Sequence, residues 1–383
     1  MRPARLNGIQ KSVIRQVFDR ARPGSINLGL GEPDLPTPQV IRRAAVRAIV
    51  EEQNGYTSHA GLPELRKKVA GDYPYLGKDP ERVIITAGSQ EALYLALLTL
   101  VGEGDEVLLP DPGFVAYPTI VQMAGGVARY YRLPRDRDFG FDADEFRAAL
   151  TPRTKVVVCI SPSNPTGRAL SLSDLVSIAG ALHDTGVYVI SDEIYRDLYY
   201  TANRPESLSA FYNRTIVIGG LSKSMSMTGW RLGWLAGDPE VVKAALVLHG
   251  YVTTCASTVS QKASLAAWTA EAETARAKFR STFRARRDYL LRQIVSELRL
   301  RTVTPEGAFY TMIDVGGYGS SVAVAEALLE ESVITVPGSA FGPESEDFLR
   351  VSFCADEQTL GEGIQRIKRG LDALHSRSQE TPT

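Results

Sequence analysis

Lys223 stands in Ser222-Lys223-Ser224, directly after the apolar run Thr215-Ile216-Val217-Ile218, and Arg231 follows in Met227-Thr228-Gly229-Trp230-Arg231. No other lysine occurs between Lys155 and Lys243. A strand that ends in small residues and then a lone lysine delivers that amine to the carboxyl edge of a sheet, where open α/β folds bind their ligands. Kept away from bulk water, such an amine is suited to forming a Schiff base with a carbonyl compound. Taken alone, a Ser-Lys pair reads more simply as a surface lysine on a loop, and other segments must tip the balance.

Three of them do. Ser191-Asp192-Glu193-Ile194-Tyr195 ends another strongly apolar run. A carboxylate at that depth is costly without a cationic partner, which a protonated ring nitrogen would supply. Tyr195 offers a phenol to the same ligand; the competing reading of Asp192 is a helix N-cap. Ser161-Pro162-Ser163-Asn164-Pro165-Thr166-Gly167 follows the run ending at Ile160. Asn before Pro is held extended, so the Asn164 amide is either part of a plain turn or a donor fixed at the sheet edge. Ala87-Gly88-Ser89-Gln90-Glu91 joins a strand to a helix, and the free amides of a helix start suit a phosphate, although simple capping uses the same residues.

The elements that must hold these residues read as α/β. Strands are expected at Val83–Thr86, Glu106–Leu109, Lys155–Ile160, Val187–Ser191, Thr215–Ile218 and Leu232–Ala236, with amphipathic helices such as Ser89–Leu100 and Leu172–Asp184 between them. Short apolar runs separated by helices indicate a buried, largely parallel sheet. A long helix from about Glu271 to Leu300 precedes a change of pattern, with Gly307–Ile313, a helix from near Ser321 and a strand Phe348–Phe353. This gives an arm over residues 1–40 that packs with the small domain, a large domain over 41–289, and a smaller α+β domain over 290–383. Gly29, Gly31, Pro33, Pro36 and Pro38 break the arm too often for one regular element. The polar tail Ser376–Thr383 is expected to fray.

Composition narrows the function. At 383 residues two domains are the natural expectation. Lys plus Arg (43) nearly balances Asp plus Glu (44), which argues against nucleic acid as a partner. No run approaches the roughly 20 apolar residues of a membrane helix, and the start Met1–Asn7 lacks a secretory core. Cys159, Cys255 and Cys354 are few and scattered, as expected of reduced thiols in a cytoplasmic protein. The four histidines, His59, His183, His249 and His375, show no ligand spacing, so no metal is expected.

In combination these segments resemble the class I/II aminotransferases, fold type I enzymes of pyridoxal 5'-phosphate. The resemblance runs from Leu28-Gly29-Leu30-Gly31-Glu32-Pro33-Asp34 and Tyr56–Arg66 through the Asn-Pro-Thr-Gly, Ser-Asp-Glu-Ile-Tyr, Ser-Lys and Gly-Trp-Arg segments. It continues to Pro305–Tyr310, Val336-Pro337-Gly338 and Leu349–Phe353. It covers nearly the whole chain, and while each motif is moderately specific, the ordered set is highly so.

The resemblance implies a mostly parallel seven-stranded sheet flanked by helices, with the C-terminal part and the N-terminal arm forming the smaller domain. It implies that Lys223 carries the cofactor and moves the substrate proton, and that Asp192 pairs with the pyridinium nitrogen. Asn164 and Tyr195 would bond the phenolic oxygen, and Phe114 would stack on the ring. The phosphate would lie on Gly88, Ser89, Gln90, Ser222 and Arg231, with Tyr56 reaching the site of the neighbouring subunit in a homodimer. Arg350 would clamp the substrate α-carboxylate, with Gly31 and Asn164 beside it. The implied reaction moves the amino group of an L-amino acid to a 2-oxo acid, 2-oxoglutarate or pyruvate, by a ping-pong route.

Two positions depart from the family pattern. Gly220 stands where many relatives place a phosphate-contacting serine, and Gln90 where an aspartate-selective subgroup carries lysine. Thr253–Ser257 also lacks an arginine for a distal carboxylate, so strict aspartate specificity is not expected. A β-lyase on the same scaffold stays open as an alternative. A cofactor-binding sensor is the weaker one, since such regulators add a DNA-binding domain and the motifs here begin almost at once.

Overall fold

The computed structural model describes residues 6–52 and 54–380. Seven strands form the central sheet in the order β2-β8-β7-β6-β5-β3-β4. They are β2 (Val83–Thr86), β3 (Glu106–Asp111), β4 (Val127–Arg132), β5 (Thr154–Ile160), β6 (Tyr188–Asp192), β7 (Thr215–Gly220) and β8 (Gly233–Ala236). All run parallel except β8, which is antiparallel to both β2 and β7. The carboxyl ends of β2, β3, β5, β6 and β7 therefore share one edge.

The β-branched runs fill this sheet on both faces. Val156 and Val158 of β5 pack in the cluster that holds Ala92, Leu93 and Ala96 of the helix Ser89–Leu100. Val157 and Cys159 face the other way, toward Leu175 and Ile178 of the helix Leu172–Leu182. Each fully buried aliphatic side chain contributes about 1.5–3 kcal/mol, so the strand middles stabilise the fold while the strand ends remain available for chemistry.

Sequence and structure differ mainly at edges. The strand β4 has no counterpart among the expected ones. Its residues Val-Ala-Arg-Tyr-Tyr-Arg are mostly solvent-facing, and it pairs on one side only, so it lacks the apolar run that marks the inner strands. The long helix runs Ala270–Gln293 and continues as one π-helical stretch, Ile294–Leu298, until Arg299 turns left-handed at φ 55°. At the C-terminus, where fraying was expected from Ser376, the helix Glu357–Glu380 persists, since no Gly or Pro interrupts it there; residues 381–383 lie outside the described residues, as do 1–5 at the start.

A second sheet joins β11 (Val336–Pro337), β12 (Phe348–Ser352) and β9 (Tyr310–Asp314), all antiparallel. The N-terminal segment holds a short helix, Val13–Asp19, and the strand β1 (Ile26–Asn27), which pairs in parallel with β10 (Val333–Ile334). Ser352 N–H then donates to Leu28 O at 2.7 Å. These bonds hold the segment from Leu28 to Asp34 next to β12, across the carboxyl edge of the central sheet.

Candidate active site

The backbone turns beyond Gly220 of β7 and points the Lys223 side chain into the space beneath the N-terminal segment. Its Nζ donates to Gly31 O at 2.8 Å and lies 5.9 Å from the centre of the Phe309 ring. Burial holds this amine below the ordinary lysine range, and the nearby Arg350 and Arg231 push the same way. A lysine so placed spends more of its time as the neutral nucleophile. Gly31 has no room for a side chain, because a Cβ there would fall 1.5 Å from the Tyr310 hydroxyl.

Asp192 ends β6, in register with Ile160 of β5 and Ile218 of β7. Its carboxylate accepts from Tyr117 Oη at 2.9 Å and from Ile194 N at 3.3 Å. Burial nevertheless raises its pKa to about 6, and the adjacent Glu193 adds to the rise. Tyr195 lies three residues on, in the turn that follows β6, its hydroxyl 3.1 Å from that of Tyr310, and burial pushes the Tyr195 phenol well above the usual range.

Arg350 projects from β12 and is almost fully buried. Nη1 donates to Asn164 Oδ1 at 2.7 Å and Nη2 to Gly29 O at 2.5 Å. The guanidinium sits 4.3 Å from the Tyr310 ring centre and 4.8 Å from that of Phe341. Nε is buried without a hydrogen-bond partner among the described residues, a cationic donor set that suits a planar anion.

The turn from β2 into the helix Ser89–Leu100 forms the anion cup. Gly88 is the N-cap at φ 89° and provides no side-chain cap, so the first amides of that helix keep their donors free. Arg231 closes the cup, with Nη1 bonded to Thr228 O at 2.9 Å and Nη2 3.4 Å from Ala87 O. A Cβ at Gly88 would lie 2.3 Å from that same Nη2.

These groups converge. Gly31, Ser89, Gln90, Phe114, Asn164, Asp192, Tyr195, Ser222, Lys223, Arg231 and Arg350 line one cavity of about 260 Å³, and Gly88 shapes the turn beside it. Tyr56 is the exception: it is 89% exposed and does not line the cavity within one chain. Gly220 closes β7 and contributes no side chain to the lining. Tyr310, Thr228, Ile14 and Leu30 in the lining, and Tyr117 behind Asp192, are not among the residues assigned roles from the sequence. Thr228, Leu30 and Tyr310 lie inside segments already singled out, but a tyrosine or leucine in an apolar run reads as core.

The arrangement fits a flat, phosphorylated, carbonyl-bearing cofactor. Lys223 offers a buried amine to a carbonyl, Asp192 a buried carboxylate to a cationic ring atom, and the free amides with Arg231 a set of donors to a phosphate.

Comparison with known proteins agrees with this geometry. The family model described as aminotransferase class I and II matches residues 23–367. An aspartate aminotransferase of Pyrococcus horikoshii is 35% identical over 373 residues, covering 95% of each chain. The solved aspartate aminotransferase of Thermus thermophilus with maleate superposes with a TM-score of 0.91 at 33% identity, over 97% of this chain and 100% of that one. The N-succinyldiaminopimelate aminotransferase of Mycobacterium tuberculosis also gives 0.91, at 32% identity and with the same coverage.

Proposed function

The chain belongs to the class I and II aminotransferases, enzymes that move amino groups between amino acids and 2-oxo acids, and from that premise we propose how its own residues do so with pyridoxal 5'-phosphate. The carrying observation is the convergence of Lys223, Asp192 and Arg350 on one cavity beside the free amides at Gly88–Gln90. When bound, the cofactor supplies an electron sink for the electron pair left at the substrate α-carbon.

Arg350 receives the substrate α-carboxylate as a bidentate fork, its plane fixed between Tyr310 and Phe341. Asn164 and Gly31 flank that carboxylate. Lys223 would take the proton from the substrate α-carbon, its basicity tuned by burial. Asp192 would pair with the ring nitrogen and favour its protonated form, and Asn164 and Tyr195 would donate to the phenolic oxygen. Phe114 would cover the ring face, and Ser89, Gln90, Ser222 and Arg231 would hold the phosphate.

The amino donor is an L-amino acid and the acceptor 2-oxoglutarate or pyruvate, in a ping-pong sequence. The apolar pair Ile14 and Leu30 at the cavity wall supports a donor whose side chain need not be acidic. We divide the chain into an arm (1–40), a large domain (41–289) and a small domain (290–383), and the cavity takes lining from each: Ile14 and Gly31, Asp192 and Lys223, Tyr310 and Arg350.

A homodimer completes the site. Tyr56 and Tyr251 are 89% and 92% exposed, and Thr258 Oγ1 bonds to Gly55 O at 2.6 Å, so the Tyr56 segment runs beside the chain that follows Tyr251. Tyr56 then reaches the phosphate of the neighbouring subunit. Among the described residues no helix is long and apolar enough to cross a membrane, and a cytoplasmic location is part of the proposal.

Incubation with ¹⁵N-labelled amino acids tests the reaction. Label appearing in glutamate or alanine when the matching oxo acid is present is the expected result. Ammonia and pyruvate released without an oxo acid would overturn it in favour of elimination.

A further inference from the structure

Behind the anion cup lies a buried carboxylate–imidazole pair that the reaction does not use. Glu91 is the third residue of the helix Ser89–Leu100, and its side chain folds back past Gly88. Oε2 accepts the backbone N–H of Ala87, and Oε1 accepts the Thr253 hydroxyl. The same Oε1 lies 2.9 Å from Nδ1 of His249, whose ring is completely buried. His249 and Thr253 come from the last turn and the cap of the helix Pro239–Val252.

We propose that Glu91, oriented by His249 and Thr253, is a positioning residue that sets the direction of the phosphate-binding amides at Gly88–Gln90. The proposal rests on the reading of this cup as a phosphate site. Its physical basis is the softness of glycine. Gly88 populates many conformations in isolation, so its neighbours must impose the φ of 89° that aims the turn.

Glu91 fixes the N–H of Ala87, the residue immediately before that glycine. On the far side, Gly88 N–H donates to Thr86 O at 2.8 Å, and Thr86 Oγ1 donates to Gly88 O at 3.0 Å. Ala87 is thus held from behind by Glu91, while its carbonyl faces Arg231 in front.

A carboxylate so near an anion site would ordinarily repel the anion. Here its charge is engaged on the side away from the cavity by three donors. Burial works to raise its pKa, yet the bonds from His249, Thr253 and Ala87 outweigh burial and hold Glu91 below the usual glutamate range. The ionised carboxylate is the acceptor that all three donors require. In Glu91→Gln, with the amide oxygen kept on Ala87 N–H, the NH₂ faces Nδ1 of His249 and the Thr253 hydroxyl, so both must switch from donor to acceptor, and the charge that strengthens all three bonds is lost.

The test compares dissociation constants of pyridoxal phosphate and of pyridoxal, which lacks the phosphate, for cofactor-stripped wild type, Glu91→Gln, His249→Asn and Thr253→Val. Glu91→Gln is expected to weaken pyridoxal phosphate about tenfold or more while moving pyridoxal less than about twofold, with the two neighbours following more weakly. The substrate KM at saturating cofactor stays unchanged. Equal weakening of both ligands, or unchanged phosphate-ester affinity in the variants that fold, would overturn the proposal. If Glu91→Gln fails to fold by circular dichroism, Thr253→Val and His249→Asn carry the same comparison. Failure of the wild type itself to bind pyridoxal phosphate would instead overturn the reading of the site as a whole.

Discussion

Tyr117 donates a 2.9 Å hydrogen bond to Oδ2 of Asp192, and both residues are buried. The bond ties the helix Tyr117–Met123 to the carboxyl end of β6, and the Phe114 ring stands edge-on to Tyr117 at 5.5 Å. A phenol satisfies one lone pair but leaves the carboxylate charge uncompensated. Burial accordingly raises the pKa of Asp192 to about 6, and a cationic ring nitrogen would relieve that cost.

The raised pKa has a consequence for stability. In the folded protein Asp192 titrates near 6, against 3.8 for the free group, so the native state binds more protons between those values. Stability falls as the pH rises from about 4 to about 6, and a deficit of up to about 3 kcal/mol persists above that window. Cofactor-free Asp192→Asn is therefore expected to be about 2–3 kcal/mol more stable than the wild type at pH 8 in denaturant unfolding. The difference should vanish by about pH 4. A gain that is the same at both pH values would mean that the carboxyl is not the source.

Arg350 is held by geometry that lysine cannot copy. Its fork donates to Asn164 and Gly29, and its flat face lies against Tyr310 and Phe341. Arg350→Lys keeps the charge and loses the fork and the stacking, which is expected to raise the KM for the amino donor roughly 30- to 100-fold. Steady-state kinetics beside a melting curve separates this from unfolding. A KM within about twofold of wild type would mean that the carboxylate binds elsewhere.

The residues legible in the sequence share one property: each ends an apolar run at a small or proline-marked break. Lys223, Asp192 and Asn164 could be placed at a sheet edge from that pattern alone. Tyr117 and Tyr310 could not, because each acts through a partner far along the chain, Asp192 at 75 residues and Tyr195 at 115. Ile14 and Leu30 reach the cavity through a segment held by the pairing of β1 with β10, a contact without a local signature. The strand β4 escaped for the opposite reason, since its solvent-facing charges hide its strand character.

Gly88 is constrained twice, by its φ of 89° and by the Arg231 guanidinium 2.3 Å from where a Cβ would stand. Gly88→Ala must either turn the chain or push Arg231 aside. The expected outcome is a loss of about tenfold or more in pyridoxal phosphate affinity with about 1–2 kcal/mol of destabilisation. Fluorescence titration and denaturant unfolding measure the two effects. Unchanged affinity would place the phosphate outside this turn.

Lys223→Ala is expected to lower turnover by about 10³-fold or more while leaving the fold intact, and it also reports on the subunit arrangement. Tyr56 is exposed in one chain. If it serves the neighbouring active site, a hybrid of a Lys223→Ala subunit with a Tyr56→Ala subunit has one site carrying both lesions and one carrying neither. Random exchange of equal amounts should then restore about a quarter of wild-type activity, from half of the dimers each with one intact site. If Tyr56 served its own subunit, every site in the hybrid would keep a lesion, and mixing would give no more than the average of the parents. Activity measured before and after subunit exchange therefore decides whether the cavity is complete within one chain.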